Sequence, residues 1–224
     1  MDGLIRYEIG RGVESFTSTK GAELPYEVTV GHQVHGIKVA QVDRPGMTRE
    51  ELEGYDALVT NLPGCAIGVR TADCIPVLLY DPVHRAVGAV HAGWRGTVQR
   101  VSQKAIFKMQ MLYKSEPSDI MAVIGPGISR KYFQVGAEVV GIFKDNGFPI
   151  DQIYSWDGPR QENMLGGHHI DLFEANRFLL FEAGLKAENI HVSGLCTYSD
   201  ERFFSARKEG EQCGRNINSI MLTE

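Results

Sequence analysis

Ala66-Ile67-Gly68-Val69-Arg70-Thr71-Ala72-Asp73-Cys74-Ile75-Pro76-Val77-Leu78-Leu79-Tyr80 reads as two apolar runs separated by a polar segment at 70–74. Short apolar runs bounded by turn residues predict buried strands, here over 66–69 and 75–80. Asp81-Pro82 then turns the chain into a third such stretch, 85–91. Beyond His91-Ala92-Gly93-Trp94-Arg95-Gly96 the period changes, and Val98, Val101, Ala105, Met109 and Leu112 fall on one face of a helix. Strands that give way to an amphipathic helix predict a mixed α/β fold, with helices packed on a core built of strands.

Upstream, segments 26–30, 34–42 and 56–60 predict further strands. Downstream, helices are predicted over 137–146 and from about residue 171, where Leu172, Ala175, Leu179 and Ala183 form one stripe and Gly184 stops the helix. Strands resume at 190–193 and 216–222. No internal repeat, linker or sustained charge run interrupts this series, so one domain spanning 1–224 is expected. Glycine is over-represented, 25 of 224 residues, as many tight turns between short strands require.

Lys and Arg number 23 against 28 Asp and Glu, for a net charge of −5. That balance lacks the basic surplus on which nucleic-acid binding draws. Nor does any apolar run approach the ~20 residues of a bilayer span, and residues 1–10 show no basic start, apolar stretch and cleavage site in succession. Cys65, Cys74, Cys196 and Cys213 are spaced like neither a secreted disulfide framework nor a paired C-x-x-C zinc site. Reduced thiols in a cytoplasm are the expectation.

Polar residues that interrupt apolar strands are costly to bury unless hydrogen bonds or a metal satisfy them. Three such places lie at predicted strand ends: Gly31-His32-Gln33-Val34-His35-Gly36, the segment 70–74, and His91 to Gly96. One Cys and two His without a fourth protein ligand suit a zinc site that keeps a position open for water or substrate. A lone Cys is equally a small packing residue and a single strand histidine a hydrogen-bonded core residue, and spacing alone does not choose between these readings.

His32-Gln33-Val34-His35-Gly36, Thr71-Ala72-Asp73-Cys74-Ile75-Pro76-Val77-Leu78-Leu79, Ala89-Val90-His91-Ala92-Gly93-Trp94-Arg95-Gly96, Ile124-Gly125-Pro126-Gly127-Ile128 and Cys196-Thr197-Tyr198-Ser199-Asp200-Glu201-Arg202-Phe203-Phe204-Ser205-Ala206-Arg207 occur in this order. Together they resemble the YfiH-type laccase-domain family of bacterial proteins, described both as polyphenol oxidases and as purine nucleoside phosphorylases. The resemblance runs from about Gly31 to Leu222; before Pro25 the chain departs from the family's longer glycine- and serine-rich stretch. It implies a single α/β domain of the type shared with a bacterial cysteine-hydrolase toxin. It also implies a zinc held by His35, Cys74 and His91 as the catalytic centre, and activity on purine nucleosides, with phosphorolysis and adenosine deamination at one site.

Other residues carry two readings each. His32 is a candidate substrate or outer-sphere residue. Asp73, beside Cys74, either orients a metal-bound histidine or caps a turn. Arg70, Arg95, Arg207 and Arg215 stand at strand ends or among glycines, where a planar guanidinium grips phosphate in two places; the alternative is a surface ion pair. Gly125-Pro126-Gly127 brings backbone near a ligand or simply turns. His84 is expected in solvent, His168 and His169 at a helix entry, and Cys65, Cys196 and Cys213 in packing. The leading expectation is a zinc-dependent phosphorylase of adenosine, inosine and related nucleosides, with purine nucleoside and phosphate as its partners. Copper at the same residues defines the oxidase alternative, although seven histidines and no His-x-His pair are poor material for a multicopper cluster. Cys74 as nucleophile with His91 as base defines a third reading, an amidase of peptidoglycan-precursor editing. A zinc-stabilised binding module that turns nothing over is the non-enzymatic fourth.

Overall fold

Residues 3–157 and 167–223 are described by the computed structural model. In chain order its strands are β1 (Leu4–Arg6), β2 (Val13–Ser18), β3 (Thr29–Val30), β4 (Lys38–Gln41), β5 (Tyr55–Thr60), β6 (Ile67–Thr71), β7 (Ile75–Asp81), β8 (Ala86–Ala92), β9 (Met121–Ile124), β10 (Gln134–Val135), β11 (Tyr154–Asp157), β12 (Gly167–Ile170), β13 (Ile190–Val192) and β14 (Asn216–Leu222). The helices are α1 (Trp94–Val98), α2 (Val101–Tyr113), α3 (Ala137–Asp145), α4 (Ile150–Ile153), α5 (Leu172–Glu182) and α6 (Ala206–Glu209). A six-stranded sheet has the order β13-β9-β7-β8-β5-β4, a five-stranded sheet β1-β2-β14-β6-β3, and a small sheet β10-β12-β11. The fold is mixed α/β.

The apolar run of β7 explains the layering. Every residue of β7 is buried, and its side chains alternate between two cores. Val77 and Leu79 join Val101, Ala105 and Met109 of α2 and Leu179 of α5. Leu78 and Tyr80 face the other way, toward Ile67 and Val69 of β6 and Ile220 and Leu222 of β14. A strand covered on both faces has no solvent side to mark with polar residues, hence the uninterrupted run. Each fully buried leucine contributes on the order of 1.5–3 kcal/mol relative to exposure. The β7–β8 hairpin is antiparallel, with Ile75 opposite Ala92 and Pro76 opposite His91, so residues just before β7 and at the end of β8 meet at one edge.

Three local expectations change, and two strands join the fold beyond those expected. The helix beyond Gly96 is two helices, broken where Arg100 adopts φ 66°; its guanidinium reaches Glu182 and the Asn146 carbonyl, so a tertiary contact overrides the helical period. The strand expected over 34–42 is only Lys38–Gln41, because His35 takes a left-handed conformation, φ 59°, that turns the chain. His168 and His169 lie on β12 rather than at a helix entry, and the cap of α5 is Asp171, which accepts from Glu174 N at 3.1 Å. Finally, β1 and β2 extend the five-stranded sheet through β14, with Ile220 opposite Ser15. Among the described residues no helix is long and apolar enough to cross a membrane.

Candidate metal centre

Two turns and a strand end deliver the candidate ligands: the turn before β4 carries His35, the turn before β7 Cys74, and the end of β8 His91. Their ligand atoms all lie within 4.8 Å of one another. The His35 and His91 rings meet edge to face, with centroids 4.9 Å apart. Gly93 makes this approach possible, since a Cβ there would stand 3.0 Å from Cys74 Sγ and 3.1 Å from His35 Cδ2. A short positive-φ turn at Asp73, φ 90°, aims Cys74 into the same corner.

Asp56, on β5 beside β8, fixes two of the three candidate ligands. Its Oδ1 accepts from His91 Nδ1 at 2.8 Å, while Oδ2 accepts from the backbone N–H of Gly36 at 2.7 Å and of Val34 at 3.2 Å. One buried carboxylate therefore sets the tautomer of His91, leaving Nε2 for a ligand, and pins the turn that presents His35. Burial opposes ionisation of Asp56, but His91 and these N–H donors outweigh it and lower its pKa. Burial likewise pushes the Cys74 thiol up, yet the two imidazoles bring it below its ordinary value. His91 is held above its ordinary value against burial by Cys74 and Asp56. The corner thus favours a thiolate beside an imidazolium, and a cation bound there takes the place of the imidazolium proton. A thiolate with two imidazoles is a donor set that zinc or copper accepts, with a fourth position left open.

The role considered for Asp73 belongs to Asp56 instead. Asp73 meets no histidine: its Oδ1 accepts from Thr197 Oγ1 at 2.6 Å and its Oδ2 from Arg207 N at 2.7 Å, tying the Cys74 turn to the C-terminal motif. Gly127 abuts Ile75 and the Asp73 carbonyl, and the neighbouring Ile128 N–H donates to that carbonyl at 2.9 Å, so the glycine pair buttresses the Cys74 turn. His32 is exposed and paired with Glu53. His84 bonds to Asp81 at the opposite end of β7. The four cysteines are free thiols.

A cleft of about 880 Å³ opens from this corner, and Arg70, Arg207 and Arg215 line it together with His35, Asp73, Cys74 and His91. Arg95 does not: it is exposed and lies over the Trp94 ring, 4.4 Å from the centroid. Arg49 was not anticipated, yet it lines the cleft too; a lone arginine in the polar run Thr48-Arg49-Glu50-Glu51 carries no local signal. Gln33 carries no local signal either. Its amide brackets the backbone of Arg70, accepting from Arg70 N and donating to Arg70 O, each at 2.8 Å.

The family model described as multi-copper polyphenol oxidoreductase laccase matches residues 13–223. The chain belongs to this family. The match to the laccase-like family begins well upstream of Gly31, in β2, consistent with the pairing of that strand to β14. Among its relatives, a purine nucleoside phosphorylase of Bacteroides thetaiotaomicron is 38% identical over 208 residues, 90% of this chain and 75% of the relative. Adenosine deaminase RL5, from an unknown prokaryotic organism, is 39% identical over 201 residues, 87% of this chain and 74% of the relative. The crystal structure of the Bacillus licheniformis hypothetical protein YfiH superposes with a TM-score of 0.86 at 27% identity, covering 100% of this chain and 97% of that one. Members of the laccase-like family with this fold thus carry enzyme names of purine nucleoside chemistry.

Proposed function

We propose that the chain, acting as one unit over 1–224, is a zinc-dependent purine nucleoside phosphorylase that uses adenosine, inosine and related nucleosides and also deaminates adenosine. The observation that carries this reading is the convergence of His35, Cys74 and His91 at the edge of a cleft lined by arginines, joined to the names of the relatives. When bound by these three residues, zinc supplies a Lewis acid that lowers the pKa of water to near ~7. Asp56 keeps His91 Nδ1 protonated, so that Nε2, facing Cys74 and His35, would be the nitrogen that holds the cation. In phosphorolysis a phosphate oxygen forms a bond to the anomeric carbon while the bond from that carbon to the purine nitrogen breaks, and the departing base takes up a proton. The carbon is positive in the transition state, so arginines that position the phosphate dianion beside it lower the barrier. Phe133, which lines the same cleft, offers an apolar face to the base.

One geometric feature favours a second reading. Asp56, His91 and Cys74 stand in the order of a hydrolase triad, with carboxylate, imidazole and thiol in sequence. In such an amidase the Cys74 thiolate attacks an amide carbonyl, the imidazolium returns its proton to the leaving amine, and water releases the acyl group. Metal quantification on protein purified without added metal, followed by adenosine assays with and without phosphate, decides between them. About one zinc per chain and phosphate-dependent release of free base are expected. Amide hydrolysis by metal-free protein that ignores nucleosides would overturn the reading for the amidase, and copper with rapid phenol oxidation would overturn it for the oxidase.

A further inference from the structure

Four guanidiniums line the cleft, from Arg49, Arg70, Arg207 and Arg215, against the two carboxylates of Asp73 and Glu211. This is an inverted balance for a chain with net charge −5. Among the described residues Asp73 forms no ion pair with any of these guanidiniums, its oxygens accepting instead from the Thr197 hydroxyl and the Arg207 backbone N–H. The arginines themselves divide into two kinds. Arg207 is committed to the fold: its Nη atoms donate to the carbonyls of Tyr132 and Gln134, each at 3.1 Å. Arg215 is held in its own loop through the Glu211 carbonyl at 2.9 Å and the Gly214 carbonyl at 3.0 Å.

Arg70 is different. Its backbone is fixed twice, by β6 and by the Gln33 bracket, yet its Nε is buried without a hydrogen-bond partner. Arg49, Arg70 and Arg215 join no ion pair among the described residues. Burial, with Arg49 and Arg215 close by, also lowers the pKa of Arg70, the signature of cations gathered without a counter-charge. Burying an unpaired guanidinium nitrogen is destabilising, and bringing further guanidiniums toward it adds repulsion. An oxyanion relieves both, and a planar guanidinium fork matches the tetrahedral oxygens of phosphate.

We propose that Arg49 and Arg70 form a phosphate subsite on the wall of the cleft, with the rigidly mounted Arg70 as its anchor and Arg215, whose fork is held by its own loop, adding positive charge beside it. Arg207 is a clamp that holds the loop around Tyr132 and Gln134 against α6. The proposal deepens the phosphorolysis reading, on which it rests for the role of the anion, while the subsite itself is defined by recognition of a phosphate group, free or esterified. Gln33 links the subsite to the metal corner, since it lies two residues before His35 and grips Arg70.

Calorimetric titration of zinc-loaded protein with inorganic phosphate and, separately, adenosine 5′-monophosphate tests it, with Arg49→Gln and Arg70→Met as variants. Arg49 is exposed, so Arg49→Gln keeps the test independent of folding. The expected result is saturable phosphate binding, weakened at least about tenfold by either substitution. A phosphate-induced rise in melting temperature should disappear in Arg70→Met, whose melting temperature without phosphate is no lower than that of the wild type. Binding of the monophosphate alone, sensitive to the same substitutions, leaves the subsite standing and defeats the phosphorolysis reading. Phosphate binding indifferent to both substitutions, or no anion binding at all, overturns the subsite; phosphate-dependent base release in that same protein would leave the phosphorolysis reading intact.

Discussion

At one end of the β7–β8 hairpin His91 Nδ1 donates to Asp56 Oδ1 at 2.8 Å, and at the other His84 Nδ1 donates to Asp81 Oδ2 at 3.0 Å. The two pairs share residue types and nearly share a bond length, yet their settings differ. Both partners of the first pair are buried, and the second nitrogen of His91 faces Cys74 and His35. In the second pair the His84 side chain is 34% exposed, and the carboxylate spends Oδ1 on the N–H groups of Val83 and His84 in its own turn. A histidine–aspartate pair is therefore not a site in itself. The first becomes a candidate one because Gly93 lacks the Cβ that would crowd Cys74 and His35, and because one carboxylate serves at once the two segments that carry the candidate ligands His35 and His91.

The comparison breaks most decisively at Cys74. Cys74→Ala removes the thiolate, so metal content should fall from about one per chain to near zero, and phosphorolysis and deamination should fall to background together. Retention of either activity at full rate by metal-free variant protein would separate that activity from the metal corner. Asp56→Asn comes next. The amide still occupies the space but no longer favours a protonated Nδ1 on His91 as strongly, and its NH2 group faces the Gly36 and Val34 N–H donors. Zinc affinity, measured by chelator competition, should drop about 10–100-fold. An unchanged affinity would mean that the carboxylate only closes the turn.

What the sequence made legible follows the reach of each interaction. His35, Cys74 and His91 each interrupt an apolar strand end, so a polar anomaly against a simple pattern marks all three. Asp56 lies 35 residues from His91 and begins the strand expected at 56–60, where a carboxylate reads as an ordinary first residue. Its role depends on the pairing of β5 with β8, opposite Val90 at Ala57, which no local pattern encodes. The same holds for Arg49, invisible in a charged loop until that loop folds over the cleft. The helix-face periodicity was readable through α2, but the break at Arg100 was not, because it answers to Glu182 on α5. Strand β1 is a short, partly exposed sheet edge, β2 inside the sheet mixes Glu14, Ser15 and Thr17 with its apolar residues, and two-residue β10 is too short for any period to show.

The smallest effect sharpens the other half of the comparison. Asp81→Asn should leave zinc affinity and turnover unchanged, because its turn lies at the far end of β7, but it should cost about 1–3 kcal/mol of stability through lost charge-assisted hydrogen bonds. His84→Ala should cost less than about 1 kcal/mol, since a partly exposed ion pair is weak. Burial raises the pKa of Asp81, but the Ser115 side chain, followed by the Val83 and His84 donors of its own turn, prevails and lowers it. A carboxylate whose folded pKa lies below its unfolded value of about 3.9 contributes stability that is fully present above that value and is lost as pH falls toward the folded one. The wild-type and Asp81→Asn unfolding free energies should therefore differ by a constant amount at neutral pH and converge below pH ~4. Denaturant melts at a series of pH values measure this directly. A gap that persists undiminished in acid would assign the loss to packing of the buried side chain rather than to its charge.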